Sequence, residues 1–216
     1  MHQTSRRDLL GLTAAIPFAG KAFKPRAFRA PTGELSPREE IRDRYFPNFA
    51  LKTHEGKTVH FYDDLVKNKI VTINFFYAKC DKICPLVMAN LVKVHKLLGK
   101  MMGSEIFMNS ITLQPKVDTV DALKSYAEMM GVGQGWTLLT GEPTEIDVLR
   151  RSLGFSYPNP VQDKDITNHI GNIRYGNEPL MLWAACPGMA HPLWIAKTVL
   201  WVDRSMTHPP EWAKES

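Results

Sequence analysis

Cysteine is scarce in this chain: Cys80, Cys84 and Cys186 are the only three among 216 residues. An odd count excludes a framework in which every thiol pairs within the chain, and three sulfurs fall short of a four-cysteine structural zinc site. A long apolar span is missing from the N-terminus. The run Leu9 to Gly20, broken only by Thr13, would reach roughly 18 Å as a helix, against roughly 30 Å of bilayer hydrocarbon. Basic excess is missing from the body. Six Lys/Arg and one acid lie in the first 30 residues, leaving 21 basic and 21 acidic residues beyond them. A neutral body cannot track phosphates, so nucleic acid is excluded as a partner. Internal repeats and low-complexity blocks are absent too.

What is present begins with Ser5-Arg6-Arg7-Asp8-Leu9-Leu10. Paired arginines before a short apolar run match a twin-arginine export signal, which carries folded proteins across a bacterial inner membrane. The expected division is a signal at 1–22, a Pro/Arg/Glu-rich linker at 23–44, a folded domain at 45–205 and a tail at 206–216. Ala22 and Ala30 offer cleavage positions, and an uncleaved segment would hold the protein at the membrane surface. Periplasmic or extracytoplasmic placement follows, in an oxidising compartment where thiols pair, bind metal or react.

Within the domain, "FALKTHEGKTVHF" predicts a hairpin turning at His54–Lys57. The run "KIVTINFFYA" at 69–78 is continuous, β-branched and aromatic, which predicts a central buried strand. A helix should start at Pro85, with Leu86, Met88, Ala89, Val92, His95 and Leu97 near helical spacing. Strand 105–113, helix 119–130, strand 136–140 and helix 144–153 follow. After an irregular stretch come "IGNIRY" and "LMLWAA", predicted as a hairpin turning at Gly176–Pro179, and a last helix from His191. This order suits an α/β fold, a thioredoxin-like sandwich with a mixed sheet flanked by helices and an extra N-terminal β-hairpin.

Cys84 precedes Pro85 at the helix start, where free N–H groups and the helix dipole favour a thiolate. A thiolate is both the nucleophile of disulfide exchange and a soft ligand for Cu(I) or Zn(II). Three residues separate Cys80 from Cys84, so the loop can hold two sulfurs round one ion or close into a disulfide. A metal would need a third ligand. Of the histidines, His2 lies in the signal, His54 and His60 in the hairpin, His95 in a helix and His208 in the tail. His169, just before the penultimate strand, is the candidate that topology favours.

The stretch Asn74-Phe75-Phe76-Tyr77, then Cys80-Asp81-Lys82-Ile83-Cys84-Pro85 and Asn90-Leu91, resembles the signature of the Sco/SenC family of thioredoxin-like copper proteins. "ITLQPKVDTVDALKSYAEMMG", "WTLLTGEPTEIDVLRRSLGF" and "DITNHIGNI" continue the likeness, from about Phe46 to Val202. The resemblance implies that Cys80, Cys84 and His169 bind copper, as Cu(I) or Cu(II). It also implies delivery of copper to cytochrome c oxidase subunit II or another copper protein, or reduction of that site's cysteines. Three positions depart from the family pattern: Gln114 replaces an Asp before Pro115, Val120 replaces a proline after Asp118-Thr119, and Asp81 replaces a proline after the first cysteine.

An alternative is a thiol-disulfide oxidoreductase cycling Cys80 and Cys84 as its catalytic pair, fed by a thiol reductant. A peroxidase fits less well, since Lys79 and Lys82 are the loop's only basic neighbours. If the last hairpin turns between Asn177 and Glu178, Cys186 falls opposite His169, as a resolving thiol or extra ligand; the other reading is a buried cysteine in a turn. Met88, Met101, Met102, Met129 and Met130 are expected in the core or at its rim rather than on copper. Arg150-Arg151 and Lys67 with Lys69 are expected on solvated faces.

Overall fold

The computed structural model describes residues 35–79, 84–165, 170–203 and 211–213. The expected signal segment, most of the expected linker, Cys80 and His169 lie outside them. Seven strands form one sheet in the order β2-β1-β5-β4-β3-β6-β7, numbered as follows. A hairpin of β1 (Ala50–Thr53) and β2 (Thr58–His60) precedes β3 (Ile70–Phe76), β4 (Ile106–Thr112) and β5 (Trp136–Thr140); β6 (Asn172–Asn177) and β7 (Leu182–Pro187) close the sheet. The three strands β3, β4 and β5 are parallel, while β6 pairs with β3 in the opposite sense.

Alternation along β3 builds two cores. Val71, Ile73 and Phe75 face a cluster containing Phe61, Val66, Ile146 and Leu149, whereas Phe76 joins the cluster formed by the other helices. Each such side chain, at 0–3% exposure, contributes about 1.5–3 kcal/mol. Thr72 and Asn74 are buried polar residues of the same strand. Asn74 accepts a hydrogen bond from Ser110 (2.6 Å), which in turn accepts one from the Trp136 indole (3.0 Å).

The helices follow their local signals. Val120–Met130 (α3) is N-capped by Thr119, whose side chain accepts the Ala122 N–H, and ends at Gly131 in left-handed backbone, φ 69°. Pro143–Ser152 (α4) begins with a proline, one residue before the expected start. The helix after the cysteines, α2, runs Cys84–Leu98, but its buried stripe is Cys84, Val87, Met88, Leu91, Val94 and Leu98. Of the residues picked from the sequence only Met88 lies on it; Leu86 is 54% exposed. The stripe starts from Cys84, one register away from the face chosen.

Two segments differ from expectation. The end of the expected linker, residues 37–44, forms a helix with Tyr45, α1 (Pro37–Tyr45). Ser36 and Glu39 make reciprocal capping hydrogen bonds, and Pro37 pre-sets the first turn. Arg38 fastens this helix to the buried Glu178 at 2.7 Å. In the expected tail, the Trp212 indole donates to the Leu97 carbonyl at 2.9 Å and packs against the α2 core. The other α-helices among the described residues are α5 (Pro160–Lys164) and α6 (Pro192–Leu200). No helix among the described residues is long and apolar enough to cross a membrane.

Candidate functional site

The carboxyl ends of β3 and β4 are tied together. Leu113 N–H donates to Phe76 O at 2.7 Å. Beyond them Asp118, 1% exposed, accepts the Thr112 hydroxyl at 2.5 Å and the Ala78 N–H at 3.1 Å. This carboxylate therefore anchors the chain two residues before Cys80. Sequence reading singled out the 118–120 segment only for its departure from a family pattern. The "DT" before α3 was the visible signal, and burial of the carboxylate was not.

Four residues further on, Cys84 opens α2 at 1% exposure, in one cluster with Phe76, Tyr77, Val87 and Met88. The Asn90 amide, less than two turns along, donates to the Gly188 and Ala190 carbonyls at 2.9 and 3.0 Å. Gly188 N–H donates to Gly171 O at 2.8 Å. These bonds join α2, the loop after β7 and the approach to β6. Gly188 permits the contact: a Cβ there would lie 2.7 Å from Gly171 O and 2.8 Å from Val87 Cγ1.

Of the three expected ligands, the described residues place Cys84 alone; Cys80 and His169 lie outside them. The strands do place the described residues next to them. Ile70 pairs with Asn177 and Ile73 with Arg174, so β6 begins beside the end of β3. The other described histidines are occupied. His54 Nδ1 accepts the Leu138 N–H (3.2 Å), and His95 Nε2 bonds Gln134 O (2.9 Å). His191 Nδ1 accepts the Leu193 N–H (3.3 Å), capping α6, and His60 lies 3.7 Å from Asp64. No group of three metal-binding side chains occurs among the described residues.

Cys186 does not stand opposite His169. Its partner is Ile173, because β6 continues to Asn177 and the turn occupies 178–181. The turn's centre is displaced by two residues and the register by four, so the face is retained and the neighbour changes. Cys186 is 2% exposed, and burial pushes its thiol up to about 11 despite a hydrogen bond with Thr198. A protonated, buried thiol is neither a resolving nucleophile nor a ready ligand.

Met88, Met101 and Met102 are core residues, and Met129 is 70% exposed. Lys67 is a surface group near Asp63, but Lys69 lies over the Phe107 ring at 4.8 Å, where burial lowers its pKa. Of the arginine pair only Arg151, at 50% exposure, lies on a solvated face. The Arg150 side chain is 12% exposed and holds Asp163, itself 1% exposed, at 2.7 Å. Arg151 reaches the same carboxylate at 2.9 Å.

These features define a thioredoxin-like sandwich with a cysteine at the mouth of the helix after its central strand. The SCO1/SenC family description matches residues 38–174, and the chain belongs to that family. Its fold resembles a SCO1/SenC family lipoprotein from Bacillus anthracis str. Ames, at 18% identity and TM-score 0.61 over 72% of this chain and 93% of that one. Bradyrhizobium japonicum ScoI, solved with copper bound, is 24% identical with TM-score 0.58 over 71% and 96%. Yeast Sco1 is 20% identical with TM-score 0.58 over 73% and 96%. No curated protein matches the sequence.

Proposed function

We propose that this chain is an exported copper-binding protein of the Sco type, with Cys80, Cys84 and His169 as its ligands. It would deliver copper to cytochrome c oxidase subunit II, or mature the copper site of that subunit. The observation that carries the reading is the antiparallel pairing of β6 with β3. It directs the segment that follows His169 towards the strand end from which Cys80 and Cys84 emerge. The donor set suits the cargo: two soft sulfurs at a helix N-terminus and one imidazole favour copper over hard cations. Solved relatives with copper bound, from Bradyrhizobium japonicum and Arabidopsis thaliana, support the same assignment.

The protein's own residues would do three things. Helix α2 would stabilise anionic sulfur at Cys84, Asp118 would hold the entry to the cysteine loop, and the imidazole would bind in its neutral form. All three ligands must be deprotonated, so affinity should fall as pH drops. Export by the twin-arginine segment, with or without an anchor, would place the site outside the cytoplasm.

Copper titration of purified protein tests the site. Cys80→Ser or Cys84→Ser should abolish stoichiometric binding; retention by either variant defeats the reading. The second reading, a thiol-disulfide oxidoreductase using Cys80 and Cys84, draws on the same helix-mouth cysteine. His169→Ala separates the two, because a copper carrier loses affinity while an oxidoreductase keeps most of its exchange activity.

A further inference from the structure

Helices α2 and α6 pack against each other, and Val87, Leu91 and Val94 of the first share a core with Ile195, Ala196 and Val199 of the second. Their outer sides have a composition found on no other helix pair here. Neither helix carries an aspartate or glutamate over its 15 and 9 residues, although acids and bases balance along the chain beyond residue 30. Lys93, Lys96 and Lys197 stand on this layer, and no carboxylate among the described residues pairs with any of them. Lys93, Lys96 and Leu97 line a groove with His191, Pro192 and Leu193. Along α6, Trp194 and Trp201 are two turns apart and therefore on one side, with Lys197 between them. The two indoles are 46% and 70% exposed.

Two tryptophans left in water on one helix face mark a surface that meets something. Lysine is depleted where proteins bury surface against one another, so this mixture is a poor protein interface. It suits a bilayer surface instead. An indole has an apolar body and a polar N–H, which places it at the headgroup boundary, and unpaired lysines are drawn to anionic lipid.

We infer that the outer face of α2 and α6 is a docking surface for an anionic phospholipid bilayer. Trp194 and Trp201 enter the headgroup region, and Lys93, Lys96 and Lys197 meet the lipid phosphates. The folded domain thereby holds to a membrane through its own helices, independently of any N-terminal anchor.

The test uses the full chain with vesicles of phosphatidylcholine, or of phosphatidylcholine and phosphatidylglycerol in equal parts. The protein should sediment with the anionic vesicles alone, and less so as salt is raised. Lys93→Gln, Lys96→Gln and Lys197→Gln should each weaken binding by about fivefold. Bromine-labelled acyl chains should quench tryptophan emission, and the quenched component should vanish when Trp194→Phe and Trp201→Phe are combined. The first tryptophan in the chain is Trp136, so a chain held only by its basic N-terminal segment would bind without that signal. Binding that survives every variant, with neither indole quenched, overturns the inference. Failure to bind, or equal binding to both vesicles, does the same. A dimer that forms without lipid and dissociates in the tryptophan variants assigns the face to a second copy and overturns it too. Circular dichroism checks that the variants are folded; should one misfold, quenching in the wild-type chain still decides.

Discussion

The Ala78 amide donates to the Asp118 carboxylate at 3.1 Å, and the same oxygen takes the Thr112 hydroxyl. One buried acceptor thus joins the exits of β3 and β4. Asp118→Ala leaves both donors without that acceptor, at a cost of about 1–3 kcal/mol for each unsatisfied group. Urea unfolding should show a lower midpoint, and copper retention after desalting should fall. Asp118→Asn can keep an oxygen in the same place and should retain most of both. A variant pair that behaves alike would remove the hydrogen bonds from the account.

Acid should destabilise the protein through two buried carboxylates. The Arg150 hydrogen bonds hold Asp163 well below the usual carboxylate range, against the effect of burial. Burial alone would raise Glu178, but hydrogen bonds from Asn68 N–H, Tyr62 and Arg38 outweigh it and hold that carboxyl below its ordinary value. A depressed native pKa contributes stability in full above the unfolded value of about 4, and that stability is lost as pH falls through the native value. Unfolding free energy should therefore decline on acidification below about pH 4. Asp163→Asn and Glu178→Gln should each flatten the slope.

Gly188 sets how closely the loop after β7 approaches α2. A Cβ there meets Gly171 O at 2.7 Å and Val87 Cγ1 at 2.8 Å. Gly188→Ala should cost about 1–3 kcal/mol as an overpacked site. Thermal unfolding measures this directly, and an unchanged midpoint would mean that the loop yields freely.

Cys186 should be silent in the native protein. Its burial and its raised pKa predict no reaction with thiol reagents at neutral pH and full reaction after unfolding. Cys186→Ala should leave both the number of fast-reacting thiols and the copper stoichiometry unchanged. Rapid native labelling at Cys186 would contradict the observed packing.

Much of the fold was legible because it is written in local patterns. The continuous apolar run at 70–76 could only be an inner strand, and Thr119 with Gly131 bracket α3 through capping chemistry that acts over a few residues. The Ser36–Glu39 capping box was equally visible, yet the surrounding Pro, Arg and Glu suggested a linker. Composition outweighed the motif there, and the helix became apparent only with Arg38 docked on Glu178. The last hairpin failed on its turn: a two-residue displacement moved Cys186 from His169 to Ile173. Its turn runs through Met181 at φ 53°, a conformation that its residue type does not advertise.

By itself the sequence determined the family, the cysteine Cys84 at a helix mouth and the alternation that makes a parallel-centred sheet, since each depends on residues close together in the chain. Only the tertiary structure decided which helix face is buried, that Arg150 grips Asp163 and that Asp118 supports the strand exits. Those are meetings of residues distant along the chain or hidden by burial, where desolvation and hydrogen-bond geometry, rather than spacing, select the partner.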